Sequence, residues 1–423
     1  MHHAPFINPR CPSLPPACRH RVVVLLLVAW LATALAEGQP AVPAPAAGDT
    51  AAVATDSVTV SLVTFYPGEE PFAIYGHTEL RVQQDGRDWY YNYGVFDFEA
   101  PGFVWRFVTG DAEYLCVPID KQYALMGMEG RRMVEQRLNL TADEAHRVAD
   151  RLLWNALPDN RAYHYRYLTD NCSTRPRDII EAALHDGVLH YGEPQQGEVT
   201  YRQMIRHYCR NYAWQQLGID LVLGSRLDQP LDYREQMFIP MVLMEAVGGA
   251  TVTRDSVSMP LVTRTDVVVD ASEQGLVLPP TPWWRTPLAA ALLVLALAVA
   301  LTVRDVRQRR TTRWFDALLY GTLAAIGTVI TLLALCSSHE ALWPNWNLLW
   351  AHPLHWLPAA SVWLVPRSRC LMRGYHAANA AVMVAALALW AIVPQGANYA
   401  FFPLMAASLL RSASFLATGR KQR

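Results

Sequence analysis

From residue 287 onward the chain is dominated by long apolar runs, at about 287–303, 317–336, 348–365, 376–393 and 400–416. A helix needs roughly 20 mostly apolar residues to cross a bilayer. Runs of that length, repeated five times, exclude an ordinary water-soluble domain for this third of the chain. Their flanks are ordered. Arg304, Arg307, Arg309, Arg310 and Arg313 follow the first run, Arg367, Arg369 and Arg373 follow the third, and Arg420, Lys421 and Arg423 follow the fifth. Trp283 and Trp284 precede the first run, and Trp343, Trp346 and Trp350 sit before the third. Basic loops stay in the cytoplasm and tryptophans settle at the interfaces. Five spans therefore put every basic loop and the C-terminus inside, and everything from about 37 to 282 outside. Arg411, near the inner end of the fifth run, is expected to snorkel to the interface.

The rest of the composition agrees. Of 423 residues, 52% are hydrophobic and 14 are tryptophan, high for a soluble protein. A formal net charge of −1, with no basic stripe, argues against a nucleic-acid partner. At the other end, Arg10, Arg19 and Arg21 precede an apolar run, 22–36, that closes on Ala34-Leu35-Ala36. This reads as a signal peptide over residues 1–36; an uncleaved anchor is the alternative, although the run is short for a span. Residues 37–56, rich in Ala, Pro and Gly, read as a linker. That leaves 57–282 as an exported domain and 283–423 as the membrane domain.

Seven cysteines are present. Cys11 and Cys18 precede the signal-like run, and Cys336 and Cys370 lie in or beside the apolar runs, so Cys116, Cys172 and Cys209 remain for the exported domain. A Cys116–Cys209 disulfide is left open. No CxxC and no His/Cys zinc spacing occurs, so the sequence implies neither a metal nor another cofactor.

Within the exported domain the stretch Asp170-Asn171-Cys172-Ser173-Thr174-Arg175-Pro176-Arg177-Asp178 carries the chemistry. Residues 163–168 alternate as a strand does, and Ile179, Ile180, Ala183 and Leu184 fall at helical spacing after it. Asp170 or Asn171 is a natural N-cap, and Pro176 suits a first turn. A cysteine at a helix start sees the positive end of the helix and unpaired N–H groups, which favour thiolate. The same groups, around Asn171 and Ser173, are candidate oxyanion donors. Against this stands the ordinary buried cysteine.

A second stretch shifts the balance. His77 opens a strand, Asp85-Gly86 is a hairpin turn signal, and Asn92 lies toward the end of the returning strand. Closing the hairpin brings His77 and Asn92 together, which is the Cys-His-Asn logic of thiol acyl transfer. Glu79 and Tyr91 compete with Asn92 for the third place. Arg175, Arg177, Arg202 and Arg206 are either a solvated helix face or contacts for lipid phosphate. Residues 103–110 are an aromatic turn or short helix, either core or cover for the cleft. Capping-box patterns at Thr141–Glu144 and Thr200–Gln203 start two further helices.

The words YGHTELRV, YNYGVF, LNLT, LPDNRAYHYRYLTDNCSTRPRDII and LGIDLVLG, in this order between about residues 57 and 250, resemble the periplasmic domain of the Lnb-type lipoprotein N-acyltransferases. The resemblance implies an α+β exported domain with a permuted papain-like (NlpC/P60-like) core, histidine before cysteine, followed by an all-α membrane domain of about five spans. It makes Cys172 the nucleophile and His77 the base, and it implies two partners besides the membrane: a phospholipid acyl donor and the lipidated N-terminal cysteine of lipoproteins. Two rivals remain. A cell-wall cysteine peptidase or amidase uses the same Cys-His core, and a non-catalytic scaffold would bury Cys172 and use His77 structurally.

Overall fold

The computed structural model describes residues 57–418 apart from 71–72, 98–99, 127–129, 186, 195–196, 272–277 and 362–368. The signal peptide and linker expected over 1–56 lie outside the described residues.

The exported domain is built on one antiparallel sheet. Strands β1 (Thr59–Phe65), β2 (His77–Gln84), β3 (Arg87–Val95), β4 (Glu113–Ile119), β5 (Met133–Leu138), β6 (Ala162–His164) and β10 (Val262–Val269) pair in the order β10-β5-β1-β2-β3-β4-β6. A smaller sheet joins β7 (Val188–His190), β8 (Thr251–Arg254) and β9 (Val257–Pro260). Central β1 is buried on both faces because both are covered. On one face Leu62, Leu80 and Tyr91 pack against Val148, Leu152, Ile180 and Leu243 of the helices Ala142–Ala156, Thr174–Ala183 and Pro240–Gly249. On the other, Val63, Phe65, Tyr90 and Met133 close over Ala124.

Local signals act as their chemistry requires. The turn between β2 and β3 puts Asp85 at φ 51° and Gly86 at φ 72°, the pair of positive angles that matches hairpin twist. Both capping boxes form, with Thr141 and Glu144, and Thr200 and Gln203, each satisfying the other's backbone amide. The strand expected over 163–168 is shorter. Only residues 162–164 pair with β4, and then Arg166 N–H donates to Asp170 O at 2.9 Å and closes a turn that delivers Cys172 to its helix.

The C-terminal half is helical. Pro287–Gln308, Arg313–Cys336, Cys370–Ile392 and Phe401–Thr418 are each long and apolar enough to cross a membrane. The stretch expected as the third of five spans, 348–365, is broken as far as it is described. Trp346–Leu349 and Pro353–His355 are 3-10 turns, and Trp356–Ser361 is a short helix. The cause is polar. Asn345 and Asn347 side chains donate to the carbonyls of Asp220, Leu221 and Val222 at 2.8–3.1 Å, capping the end of the exported domain's helix Ala213–Val222. Beyond them the chain presses on Gly327, where a Cβ would meet Ala351 O and His352 N at 2.6 Å. Arg411 does not snorkel: it is buried, pairing with Asp305 at 2.8 Å and Asp316 at 3.1 Å, as charges inside a helical bundle do.

The two halves are clamped by a buried ion network. Arg202 donates to Asp228 at 2.9 Å and Asp220 at 3.1 Å, and Arg206 reaches Asp220 and the carbonyls of Gly396 and Ala397. Asn398 adds a bond to Asp220 at 3.0 Å. Nearer the sheet, Ser338 N–H donates to Thr109 O at 2.7 Å, and the His339 ring meets Phe107 O at 3.1 Å. The helix Phe103–Thr109 is thereby fastened to the end of the Arg313–Cys336 helix, with Trp105 exposed.

Candidate active site

Cys172 stands two residues before the helix Thr174–Ala183. Asn171 builds that helix start. Its Oδ1 accepts from Ser173 N–H at 2.8 Å and Thr174 N–H at 2.9 Å, and its Nδ2 donates to the carbonyls of Tyr167 and Phe238. Ser173 Oγ donates to Met237 O at 2.7 Å. The expectation that Asn171 and Ser173 supply oxyanion donors is thus corrected by their bonding: the Ser173 amide is used in the cap, and Asn171 is the cap.

The donors that gather at the sulfur are others. The backbones of Thr78 and of Cys172 itself favour the thiolate at Sγ. Tyr165 O–H points at it from 3.8 Å. Pairing of β2 with β3 begins at Glu79 and Asn92, so Thr78 lies beyond the last rung of that ladder, and its backbone influences the Cys172 thiol. The cysteine is 8% exposed.

His77 is the first residue of β2, next in chain to Thr78. Gly76 sets its position. Its φ is +83°, and a Cβ there would lie 2.8 Å from Phe65 O, so only glycine makes this turn without strain. His77 Nε2–H donates to Asn92 Oδ1 at 3.0 Å, which fixes the tautomer and leaves Nδ1 as the basic nitrogen. Tyr91 packs in the core under the helices, on the other face of β3 from Asn92. Glu79 Oε1 lies 3.8 Å from His77 Nε2. Among the described residues no direct hydrogen bond joins the Cys172 sulfur to the imidazole. Catalytic bonds are often open in a free enzyme and tighten on substrate binding.

The electrostatics are those of a dry site. Burial pushes the Cys172 thiol above its ordinary value, while the Tyr165 hydroxyl, the Thr78 and Cys172 backbones and the Arg131 guanidinium pull it back. Burial, helped by the positive charge of Arg131, lowers His77 to about 4 against the opposing bond from Asn92. Burial raises Glu79 to about 8, with Arg131 opposing. The resting pair is therefore neutral thiol and neutral imidazole, not the thiolate expected at a helix start. A helix end is worth about 0.3–1 kcal/mol, less than the cost of burying a charge.

Three of these residues carry no signal in the sequence. Arg131 is 6% exposed and donates through Nε to Tyr66 O at 2.7 Å. Thr78 acts through its backbone, and Tyr165 reaches the sulfur only because residues 166–170 turn. Arg175 and Arg177, read as either a solvated helix face or phosphate contacts, are engaged inside the protein. Arg175 pairs with Asp170 at 2.8 Å and stacks over Tyr163, and Arg177 is held by Asp178 and by Arg234 O. All five cysteines among the described residues are free, so Cys116 and Cys209 do not pair. No group of three or more His, Cys, Asp or Glu suited to a metal occurs among the described residues.

A sheet-and-helix domain carrying a cysteine and a histidine at one rim, clamped to a bundle of membrane-crossing helices, defines a membrane-anchored protein with an extramembrane site. Comparison with protein families assigns both parts. Residues 46–207 match the Lnb N-terminal periplasmic domain, and residues 280–423 match the Lnb transmembrane domain. The chain belongs to the Lnb-type lipoprotein N-acyltransferase family, whose domains mark a membrane-associated lipoprotein-modifying enzyme of the inner membrane. No curated protein and no solved structure matches it.

Proposed function

We propose that this protein moves a fatty acyl chain from a phospholipid, through a thioester on Cys172, to the N-terminal amine of diacylglyceryl lipoproteins. The observation that carries this reading is the placing of Cys172 near Thr78 at the start of β2, beside the His77–Asn92 pair, on a domain tied to the membrane half through Arg206 and Asp220.

The proton balance follows from the neutral resting pair. As the sulfur attacks the ester carbonyl, its proton passes to His77. The carbon–oxygen bond then breaks, and the leaving alkoxide takes that proton, giving a lysophospholipid and an acylated Cys172. The lipoprotein amine next attacks the thioester carbonyl and gives a proton to His77. The thiolate leaves and recovers that proton. The Thr78 and Cys172 backbones, Tyr165 O–H and Arg131 steady the negative charge that passes through the sulfur. Burial of the site keeps water from the thioester, without which the result is a lipase. Asn92 holds the His77 ring, the catalytic domain faces the periplasm and the C-terminus the cytoplasm.

The test is a transfer assay with a diacylglyceryl lipopeptide and a defined phospholipid in detergent. The expected result is a mass gain of one acyl group on the lipopeptide amine, with an equal yield of lysolipid, both absent from Cys172→Ala. Cleavage of muropeptides in place of acyl transfer would establish the peptidase.

A further inference from the structure

Glu79 is the one group at the site to which the steps above give no part. It is fully buried, and among the described residues neither carboxyl oxygen has a hydrogen-bond partner. Buried carboxyls without partners are costly, and proteins keep them where they serve a purpose. Here Oε1 lies 3.8 Å from His77 Nε2, on the ring edge that also faces Asn92, and Glu79 stands directly across the ladder from Asn92. The other ionisable groups that face it are Arg131, from the segment before β5, and Tyr90 on β3. Arg81, two residues on along β2, is spent on Asp88 and Glu135.

We infer that Glu79 is a positioning residue for His77, whose carboxyl sets the basicity of the imidazole according to whether it holds its proton. With the proton in place, the ring has only the neutral Asn92 amide beside Nε2, and burial and Arg131 together make it a weak base. When the proton leaves, a negative charge appears 3.8 Å from Nε2 and favours the imidazolium formed as Cys172 is deprotonated. Burial holds Glu79 up at about 8, so this change falls between roughly pH 7 and 9. The carboxyl lies on the Nε2 side, away from Nδ1, and therefore works through His77 and not on substrate. The inference rests on the Cys172–His77 pair of the proposed function, but not on acyl transfer.

Alkylation of Cys172 by iodoacetamide tests it, because this neutral reagent needs only the thiol and its base. Rates are followed from pH 6 to 9 on the full-length protein in detergent, for wild type, Glu79→Gln and His77→Ala. Peptide mass spectrometry reports label on Cys172 alone. Glutamine has the shape and neutrality of the protonated acid, so Glu79→Gln is expected within about two-fold of wild type at pH 6 and about ten-fold slower at pH 9. Equal rates at both pH values, or a uniform loss across the range, would overturn the role of Glu79. If His77→Ala matches wild type throughout, the Cys172–His77 pair fails, and Glu79 with it. If His77→Ala is slow and Glu79→Gln is not, only the inference about Glu79 fails.

Discussion

His77 Nε2–H donates to Asn92 Oδ1 at 3.0 Å, from the first residue of β2 to the strand that returns beside it. The bond crosses the ladder diagonally, since Asn92 faces Glu79 in register. It turns the ring so that Nδ1 is the nitrogen left to take a proton. Asn92→Ala should therefore lower kcat by about 10–100-fold, as loss of an orienting group does, with KM little changed. Steady-state acyl-transfer kinetics check this. An unchanged kcat would leave His77 oriented by other means.

The pH profile follows from the burial of His77. A ring lowered to about 4 stays unprotonated through pH 5 and 6, so the acid limb of kcat/KM should fall near pH 4 and not near the ordinary 6.5. Arg131 contributes to the lowering, so Arg131→Met should carry the limb upward. For stability the sign is set by the same shift. The neutral imidazole is favoured by the fold, so its contribution is complete above about pH 6.5 and is lost as pH falls toward 4.

Gly76 holds His77 in place. Its φ of +83°, together with the 2.8 Å that would separate a Cβ from Phe65 O, leaves no room for a side chain. Gly76→Ala is expected to cost about 1–3 kcal/mol and to displace the start of β2. Thermal unfolding in detergent measures the first effect, and loss of activity beyond the loss of folded protein measures the second.

The clamp between the halves is a matter of charge. Asp220 is fully buried, and Arg202, Arg206 and Asn398 all donate to it. Asp220→Ala takes a carboxylate from the buried Arg202 guanidinium and from Arg206, leaves Arg202 with the carboxylate of Asp228 alone, and should destabilise the protein by about 3–5 kcal/mol. Limited proteolysis should then cut between the halves, near the helix Ala213–Val222, before the sheet itself unfolds.

Features written in neighbouring residues are legible in the sequence. Asp85-Gly86 specifies its turn by backbone angle, and Thr141 and Thr200 specify helix starts by side chains three residues apart. The start of the Cys172 helix and the meeting of His77 with Asn92 follow from the same kind of short-range rule. What depends on distant partners is hidden. Arg202 reads as a surface arginine until Asp220 and Asp228 fold around it. Arg131 and Tyr165 come to the sulfur through loops whose course has no periodic signature. The break in the stretch expected as the third span has a related cause: hydropathy averages over His355, whose ring meets Trp350 O and holds the chain in a short turn. The Cys172 helix start is local and can be read; its electrostatics cannot, because burial is a property of the folded whole.

The mass of the intact protein after incubation with a defined phospholipid in detergent tests the thioester on Cys172 most directly. The expected outcome is an increase of one acyl chain, lost on treatment with hydroxylamine, mapped to Cys172 and absent from Cys172→Ala. Wild-type protein that stays unmodified while Cys172 also resists alkylation at high pH would contradict acyl transfer through this residue, and Cys172 would then be a buried core residue.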